Sequence, residues 1–374
     1  MSPTAVVRLT ELQTPALRIR LDRVRTNVQH MLALAGGDAT RWRPHIKTGK
    51  VPEVYDVLLR AGVRRFKCAT TREAQVLLSR REEGIDLLVA YPHRGANLER
   101  VAALAARYPN HRLSLLSEDP EHTAAAVARA PAGPTSLGIF VDLDPGYHRT
   151  GIPVADRARI EATLRAAGPA VRGLHFYDGH VLDLEPAARR TRCAELYRGL
   201  LTLADDLELG DRELITSGTP TFEQALSFSG FADRHHTISP GTVVYSDGRT
   251  EELGVTGLTR AAHVLSRVVS APEAGRVTCD AGSKALDAAA GDPCAEVEGW
   301  PELIAQTPSE EHLPLVAATP DGPTPAPGTL LELCPRHVCP TVNLADEAVL
   351  TDGDEIVAIV PVAARGHETL APPG

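Results

Sequence analysis

The sequence predicts a (β/α)8 barrel of the TIM type followed by a second, smaller domain made of β-strands. From about residue 42 to about residue 244, short apolar runs alternate with longer amphipathic runs, which is typical of parallel strands joined by helices. Eight strand candidates lie in this region, and eight is the strand number of this barrel. An open, doubly wound sheet is the alternative, but no Gly-x-Gly-x-x-Gly motif follows the first predicted strand.

The predicted barrel strands are short, and several are rich in Val, Ile, Leu or Phe, as buried parallel strands are. In chain order they are Trp42–Ile46, Arg65–Ala69, Asp86–Tyr91, Arg112–Leu116, Leu137–Leu143, Arg172–Tyr177, Glu213–Thr216 and His236–Ser239. The helix-like segments between them include Val51–Arg60, Thr71–Arg81, Asn97–Arg107, Ala155–Ala167 and Ala187–Leu207. Thr70–Thr71 and Asp119–Pro120 have the residue types with which helices begin.

After about Val244 the pattern changes to β-like runs separated by turns rich in Pro and Gly, which predicts the second domain. These runs are Val264–Val269, Arg276–Asp280, Leu313–Ala317, Leu330–Leu333 and Ile356–Val362. The predicted boundaries are 14–245 for the barrel and 246–374, together with 1–13, for the β domain. The run Ala16–Leu21, which precedes the first barrel strand, is itself expected to join the β domain.

The composition argues against several classes of function. The formal net charge is -9 and no dense block of Lys and Arg occurs, so we expect neither nucleic acid nor a membrane surface as a partner. No apolar run is long enough to span a bilayer, and residues 1–20 lack a signal-peptide core. The six cysteines are scattered as free thiols or metal ligands are, so we expect a cytoplasmic protein.

Residues with chemical potential follow the predicted barrel strands, at the end where the active sites of such barrels lie. Lys47 follows strand one, Arg149 follows strand five, Tyr177 ends strand six, Ser217-Gly218-Thr219 follows strand seven and Gly241-Thr242 follows strand eight. The backbone N–H groups of the two Gly-Thr turns can cradle a phosphate, and a lysine opposite them can form a Schiff base with an aldehyde. Together they describe a site for pyridoxal 5'-phosphate.

Several further motifs occur in order along nearly the whole chain. They are Arg43-Pro44-His45-Ile46-Lys47-Thr48, Phe66-Lys67-Cys68-Ala69-Thr70, Val141-Asp142-Leu143, Arg149-Thr150-Gly151, Tyr177-Asp178-Gly179-His180, Gly218-Thr219-Pro220-Thr221, Asp280-Ala281-Gly282-Ser283-Lys284-Ala285 and His337-Val338-Cys339-Pro340-Thr341-Val342-Asn343-Leu344. This series resembles the D-threonine aldolase and eukaryotic-type D-serine dehydratase family, whose barrel is of the alanine racemase type. The resemblance implies a pyridoxal-phosphate lyase, usually a homodimer, with a divalent metal next to the cofactor.

The resemblance also implies a role for each matching position. Lys47 is implied as the Schiff-base lysine, Arg149 as the neighbour of the ring hydroxyl, Tyr177 as the residue facing the ring nitrogen, Gly218, Thr219, Gly241 and Thr242 as the phosphate site, and His337 and Cys339 as the metal ligands. Gly49 and Val243 depart from the family, in which His and an aromatic residue are common at these positions. These departures concern contacts with the substrate and leave the cofactor site unchanged.

The spacing of His337 and Cys339 has a physical reading of its own. Residues two apart on a strand point to the same face, so a strand here would present both side chains together. An imidazole and a thiolate suit Zn2+ better than Mg2+ or Ca2+, with Mn2+ as an alternative. Two protein ligands leave positions for water and for a substrate hydroxyl, which the metal would turn into a better leaving group. Without a metal, the two residues could instead form an ordinary buried pair.

The predicted function is the elimination of water from a small D-3-hydroxy amino acid, giving a 2-oxo acid and ammonia, with Lys47 as the general base. D-Serine, D-threonine and a 3-hydroxy-D-aspartate are the substrates considered. In the resembling family a cysteine as second metal ligand accompanies dehydratases and a carboxylate accompanies aldolases, so Cys339 favours the dehydratase. The alternatives are an aldolase that releases glycine and an aldehyde, a racemase with no metal requirement, and a pyridoxal-phosphate carrier without turnover.

Overall fold

The computed structural model describes residues 8–131, 137–182 and 185–370 of the chain, which divides into two compact units. The barrel unit comprises Met31–Lys47, Leu58–Gly241 and 366–370, and the β unit comprises 8–30, Thr48–Val57 and Thr242–Arg365. The chain therefore passes from the barrel unit to the β unit directly after Lys47. The boundaries drawn from the sequence, 14–245 and 246–374 with 1–13, stay a prediction, and their residues 1–7 and 371–374 lie outside the described ranges.

In chain order the strands are β1 (Ala16–Arg20), β2 (Arg65–Cys68), β3 (Asp86–Val89), β4 (Arg112–Ser117), β5 (Gly138–Asp144), β6 (Ile152–Pro153), β7 (Val171–Phe176), β8 (Glu213–Thr216), β9 (His236–Ile238), β10 (Ala262–Glu273), β11 (Arg276–Cys279), β12 (Ala295–Val297), β13 (Leu303–Ala305), β14 (Leu313–Ala317), β15 (Leu330–Pro335), β16 (Glu347–Asp352) and β17 (Glu355–Pro361). The α-helices are α1 (Leu21–Leu34), α2 (Pro52–Arg60), α3 (Thr71–Leu78), α4 (Ala96–Arg107), α5 (Pro120–Arg129), α6 (Arg157–Ala167), α7 (Pro186–Asp206), α8 (Phe222–Ser227), α9 (Gly248–Glu252) and α10 (Val338–Leu344).

A parallel sheet with the order β2-β3-β4-β5-β7-β8-β9 forms the barrel unit, and β6 pairs with the end of β5. The segment 42–46 joins its two edges, because Trp42 bridges Ile238 of β9 and His45 bridges Lys67 of β2, both in parallel. This segment is a pair of isolated bridges and not the regular strand predicted, since Pro44 has no N–H to donate to a neighbour. With this closing segment the predicted (β/α)8 barrel is confirmed.

The helices of the barrel unit begin at residues that cap them. The side chains of Thr70 and Glu73 accept hydrogen bonds from each other's backbone N–H groups at the start of α3. Asp119 accepts from the N–H of His122, with Pro120 in the first turn of α5. Both helix starts agree with the sequence prediction. No helix within the described ranges is long and apolar enough to cross a lipid bilayer.

The β unit contains a nine-stranded sheet with the order β11-β14-β13-β12-β15-β10-β1-β16-β17. Because β10 also pairs with β11, the six strands from β10 to β15 close into a small antiparallel barrel. Its core contains branched side chains such as Val264, Val277, Leu315 and Leu333. Strand β1 lies between β10, to which it is antiparallel, and β16, to which it is parallel. The predicted second domain of β-strands is thus confirmed.

Candidate active site

Lys47 directly follows segment 42–46, which closes the barrel. Its backbone N–H donates to Nδ1 of His45 over 3.3 Å, and its side chain is exposed. The ammonium group has no hydrogen-bond or ion-pair partner among the residues that the structure describes. An accessible lysine amine at the end of a barrel strand is available to react with an aldehyde.

A row of buried polar side chains lies on strands β2, β5 and β7 of the barrel unit. Nζ of Lys67 lies 2.8 Å from Nε2 of His175 and donates to Oγ of Ser239 over 3.0 Å. Nδ1 of His175 lies 2.7 Å from Oδ1 of Asp142, its register partner on the neighbouring strand. Burial and the charge of Lys47 lower the pKa of Lys67 to about 7, and burial and the charge of Lys67 lower the pKa of His175 to about 4.

This row was missed by sequence reasoning, although Lys67 and Asp142 lie within motifs that were recognised. The available signal was a charged residue in the middle of an apolar strand, as in Phe66-Lys67-Cys68 and Val141-Asp142-Leu143. Because side chains alternate along a strand, Lys67 points away from the face of its two apolar neighbours. Only the parallel register of the sheet brings Asp142 and His175 side by side.

Arg149 and Tyr177, both predicted from the sequence, lie together in the barrel unit. The guanidinium carbon of Arg149 lies 4.9 Å from the ring centroid of Tyr177 and 4.7 Å from that of Tyr147. The Tyr177 ring packs against bare backbone, since a Cβ built on Gly218 would lie 2.9 Å from its Cε2 atom. Glycine at 218 therefore makes room for the ring.

The two turns predicted to bind phosphate have features that fit an anion. Ser217 has a φ of 59°, and its buried Oγ has no hydrogen-bond partner among the described residues. Gly218 is buried and Thr219 is half-buried. A Cβ built on Gly241 would lie 2.2 Å from the carbonyl oxygen of His45, so only glycine allows this close approach.

His337 and Cys339 are not on a strand, so this part of the sequence prediction was wrong. Strand β15 ends at Pro335, His337 is the N-cap of α10, and Cys339 lies in the first turn of that helix. The two residues nevertheless lie close enough for Cys339 to act on the pKa of His337. Burial alone would lower the pKa of His337, but the hydrogen bond and charge of Cys339 and the charge of Asp247 raise it.

Further side chains of the β unit surround this pair. Oγ1 of Thr48 lies 3.1 Å from Sγ of Cys339, and Oγ1 of Thr242 lies 3.5 Å from it. Oδ2 of Asp287 lies 3.4 Å from Nδ1 of His337, which is the arrangement in which a carboxylate orients a metal-bound imidazole. No group of three or more His, Cys, Asp or Glu side chains that could hold a metal occurs among the described residues. An imidazole and a thiolate are both ligand types that Zn2+ takes in proteins, so His337 and Cys339 could supply two ligands to such a metal.

A parallel barrel closed through segment 42–46 and a separate antiparallel β barrel in one chain define an enzyme of the alanine racemase class. The family model described as the alanine racemase N-terminal domain matches residues 19–247, and a serine dehydratase domain model matches residues 261–351. The first match covers more than half of the chain. The chain therefore belongs to the alanine racemase N-terminal domain family.

Full-length relatives share this organisation. The chain is 28% identical to a D-threonine aldolase of Arthrobacter sp. over 96% of its own length and 94% of the relative's. It is 26% identical to the D-threo-3-hydroxyaspartate dehydratase of Delftia sp. (strain HT23) over 89% and 92% of the two lengths. A solved structure of a D-threo-3-hydroxyaspartate dehydratase, in a cysteine-to-alanine variant described as metal-free, has the same fold, with a TM-score of 0.79, 22% identity and coverage of 97% and 100% of the two chains.

Proposed function

We propose that the chain is a lyase that uses pyridoxal 5'-phosphate and a divalent metal to remove water from a small D-3-hydroxy amino acid, giving a 2-oxo acid and ammonia. The observation that carries the proposal is the placement of the imidazole of His337 and the thiol of Cys339 together at the start of α10, with Oδ2 of Asp287 3.4 Å from Nδ1 of His337 and Oγ1 of Thr48 3.1 Å from Sγ of Cys339. Such a pair favours Zn2+, with Mn2+ as the alternative.

The cofactor would be held by the residues that follow or end the predicted barrel strands. Lys47 would bind its aldehyde covalently, and Arg149 and Tyr177 would contact its ring. Gly218, Thr219, Gly241 and Thr242 would hold its phosphate. The unpaired hydroxyl of Ser217 and the bare backbone at Gly218 support a phosphate at the first turn. When bound, pyridoxal phosphate supplies a ring that withdraws electrons from the Cα bonds of an amino acid.

The chain's own groups then divide the work of the reaction. Once the amino group of the substrate has displaced Lys47 from the aldehyde, the freed Lys47 amine would accept the Cα proton as general base. His337 and Cys339 would hold the metal, which would supply a Lewis acid for the β-hydroxyl of the substrate. Asp287 orients the imidazole of His337 through the 3.4 Å contact at Nδ1.

A retro-aldol cleavage to glycine and an aldehyde is the second candidate, because a D-threonine aldolase is among the relatives that match along nearly the full chain. In that reaction the β-hydroxyl loses its proton instead of leaving. The thiol of Cys339 favours elimination, since a cysteine as second metal ligand accompanies the dehydratases of the family that this sequence resembles. A racemase would need no metal and would leave His337 and Cys339 without a role.

The test is a panel of D- and L-serine, threonine and 3-hydroxyaspartate, with ammonia, 2-oxo acid and glycine quantified with and without added zinc. Ammonia and oxo acid in equal amounts from a D-substrate would support the dehydratase. Glycine and aldehyde alone would replace it with the aldolase, and interconversion of enantiomers would indicate the racemase. Borohydride reduction with cofactor present should attach the cofactor to Lys47, and Lys47→Ala should lose the yellow absorbance and the activity together.

We propose further that the protein is a cytoplasmic homodimer. All six cysteines are free thiols, as in proteins of reducing compartments, which supports the cytoplasm. The family that the sequence resembles is usually dimeric, which supports the homodimer. Light scattering coupled to size-exclusion chromatography should give twice the mass of one chain. A mass of one chain across the working concentration range would count against the dimer.

A further inference from the structure

The barrel unit holds more cationic than anionic charge around Lys67. This lysine is 3% exposed, and the charges of Lys47 and Arg149 both act on it. The charge of Asp142 opposes them, but its Oδ1 is bound to His175 and not to Lys67. Asp178, on which the charge of Lys67 also acts, accepts hydrogen bonds from Tyr197 and Thr221. A buried cation without a directly bound anion is costly.

The hydrogen bonds of Lys67 show that its charge is not neutralised by contact. Because Asp142 accepts the Nδ1–H of His175, the Nε2 atom of that ring is the acceptor for Lys67. The second partner is the hydroxyl of Ser239. The remaining direction faces the ring of Tyr177, whose centroid lies 5.7 Å from Nζ. Among the residues that the structure describes, the groups in contact with Nζ of Lys67 are therefore neutral, and an anion would supply the missing opposite charge.

Ser239 connects Lys67 to the turn predicted to bind phosphate. Its Oγ donates to the carbonyl oxygen of Ser217 over 2.6 Å while accepting from Lys67. Ser217 itself has a left-handed backbone and a buried hydroxyl with no partner among the described residues. A cation, a spare hydroxyl donor and the bare backbone of Gly218 thus belong to one network in the barrel unit.

We propose that Lys67 is an anion-binding residue of this site, which pairs with an anionic oxygen group of the cofactor or of the substrate. The proposal rests on the proposed function and adds a residue to it. The link through Ser239 to Ser217 favours the phosphate of pyridoxal phosphate as the anion, and the carboxylate of the amino acid is the other source. An anion here would also keep Lys67 protonated, against the burial that lowers its pKa to about 7.

The experiment compares the affinities of the cofactor-stripped full-length protein for pyridoxal phosphate, pyridoxal and inorganic phosphate. Absorbance follows the first two, and calorimetry follows the third. Lys67→Met keeps the length of the side chain and removes the charge, and Lys67→Arg keeps the charge. Lys284→Met is the matched control, because Lys284 is an exposed lysine paired with Glu310 and Glu311. Thermal unfolding of each variant checks that it is folded.

If Lys67 pairs with the phosphate, Lys67→Met should weaken the binding of pyridoxal phosphate and of inorganic phosphate by roughly tenfold or more. Pyridoxal should bind as before, Lys67→Arg should recover part of the loss, and Lys284→Met should change nothing. If Lys67 pairs with the carboxylate, cofactor affinity should stay constant and the spectral titration with D-serine should weaken by a similar factor. Unchanged affinity for all of these probes would overturn the proposal.

The two proposals fail in different ways. If the wild-type protein forms no borohydride-stable adduct at Lys47, the proposed function is wrong. The titration with inorganic phosphate would then still decide on Lys67, because it requires no covalent adduct. A wild-type protein that forms the adduct, with Lys67→Met equal to it in every titration, would remove only the role of Lys67.

Discussion

The hydroxyl of Thr48 lies 3.1 Å from the sulfur of Cys339, and Thr48 is the residue that directly follows Lys47. The proposed metal ligand therefore contacts a segment that begins one peptide bond after the proposed cofactor lysine. A hydroxyl that donates to a thiolate stabilises the charged form of the sulfur. This contact gives a way to test the metal site without changing either ligand.

Thr48→Val should weaken zinc binding about tenfold, because groups that support metal ligands typically contribute at this level. Competition with a chelating dye measures the affinity, and the thiolate absorption of the cobalt-substituted protein should shift as well. Thr26→Val is the control, since the hydroxyl of Thr26 bonds within its own helix to the carbonyl of Asp22. Equal zinc affinity in Thr48→Val and the wild type would show that the contact does not support the metal.

Cys339→Ala should abolish metal binding and turnover while keeping the cofactor absorbance, because Lys47 is untouched. Metal analysis and the absorbance spectrum of the same sample test both halves. Cys294→Ala is the matched control, a buried thiol in the core of the β unit, and should keep its metal. Full activity of Cys339→Ala, or of wild type in a chelator, would refute the metal role.

Gly241→Ala should reduce cofactor affinity at least about tenfold, because its Cβ would lie 2.2 Å from the carbonyl oxygen of His45 and the turn would have to move. Gly199→Ala is the contrasting variant. Gly199 lies within α7 with no atom within 4 Å of the added methyl, so it should bind cofactor normally and gain up to about 1 kcal/mol of stability. Normal cofactor binding by Gly241→Ala would mean that the turn relaxes without consequence.

The pair of Glu213 and Arg43 predicts the acid stability of the barrel unit. Glu213 accepts from Nε and Nη2 of Arg43 at 2.9 and 2.8 Å. Burial alone would raise the pKa of Glu213, but the charge and hydrogen bonds of Arg43 lower it from 4.5 to about 2. Between these values the unfolded chain binds more protons, so stability falls with falling pH. The stabilisation of the fold by this ion pair is complete above about pH 4.5 and is lost as the pH falls through about 2.

Glu213→Gln should therefore cost about 3–5 kcal/mol near neutral pH, since it leaves Arg43 buried without its main partner. It should also flatten the pH dependence between pH 4.5 and pH 2. Urea unfolding at a series of pH values measures both effects. Glu161→Gln, on the surface of α6 beside Arg157, should change stability by less than about 0.5 kcal/mol. A pH profile of Glu213→Gln that matches wild type would contradict the assignment.

The sequence was most informative where structure is set by local pattern. The short apolar runs predicted every regular strand of the parallel sheet except the two-residue β6, since burial on both faces leaves a continuous apolar signal. Strands β12, β13 and β16 were missed. Three residues are too few to show alternation in the first two, and the four consecutive buried residues of β16 show none. Helix α1 was missed because its fully buried stripe is narrow, with Val24, Val28 and Met31 among charged and polar neighbours.

The site residues also fall into those that a local pattern predicted and those that it could not predict. Arg149 and Tyr177 follow predicted strands, and the structure brings them within 4.9 Å of each other, although their roles toward the cofactor stay proposals. His337 and Cys339 were identified from a motif, but their contact comes from a helix start and not from the expected strand. The row of Lys67, His175 and Asp142 depends on the register between strands that are far apart in sequence. No local pattern encodes that register.

The position of β1 between β10 and β16 has a consequence for synthesis. The strand is translated long before its two partners, β10 at Ala262–Glu273 and β16 at Glu347–Asp352. Until β10 has emerged, β1 carries two unpaired edges that could recruit a neighbouring nascent chain, and one of these edges stays unpaired until β16 has emerged as well. A truncated polypeptide that begins after the barrel unit would lack β1, the strand that joins β10 to β16. We expect its aggregation to begin at the edges of β10 and β16 that β1 would otherwise cover.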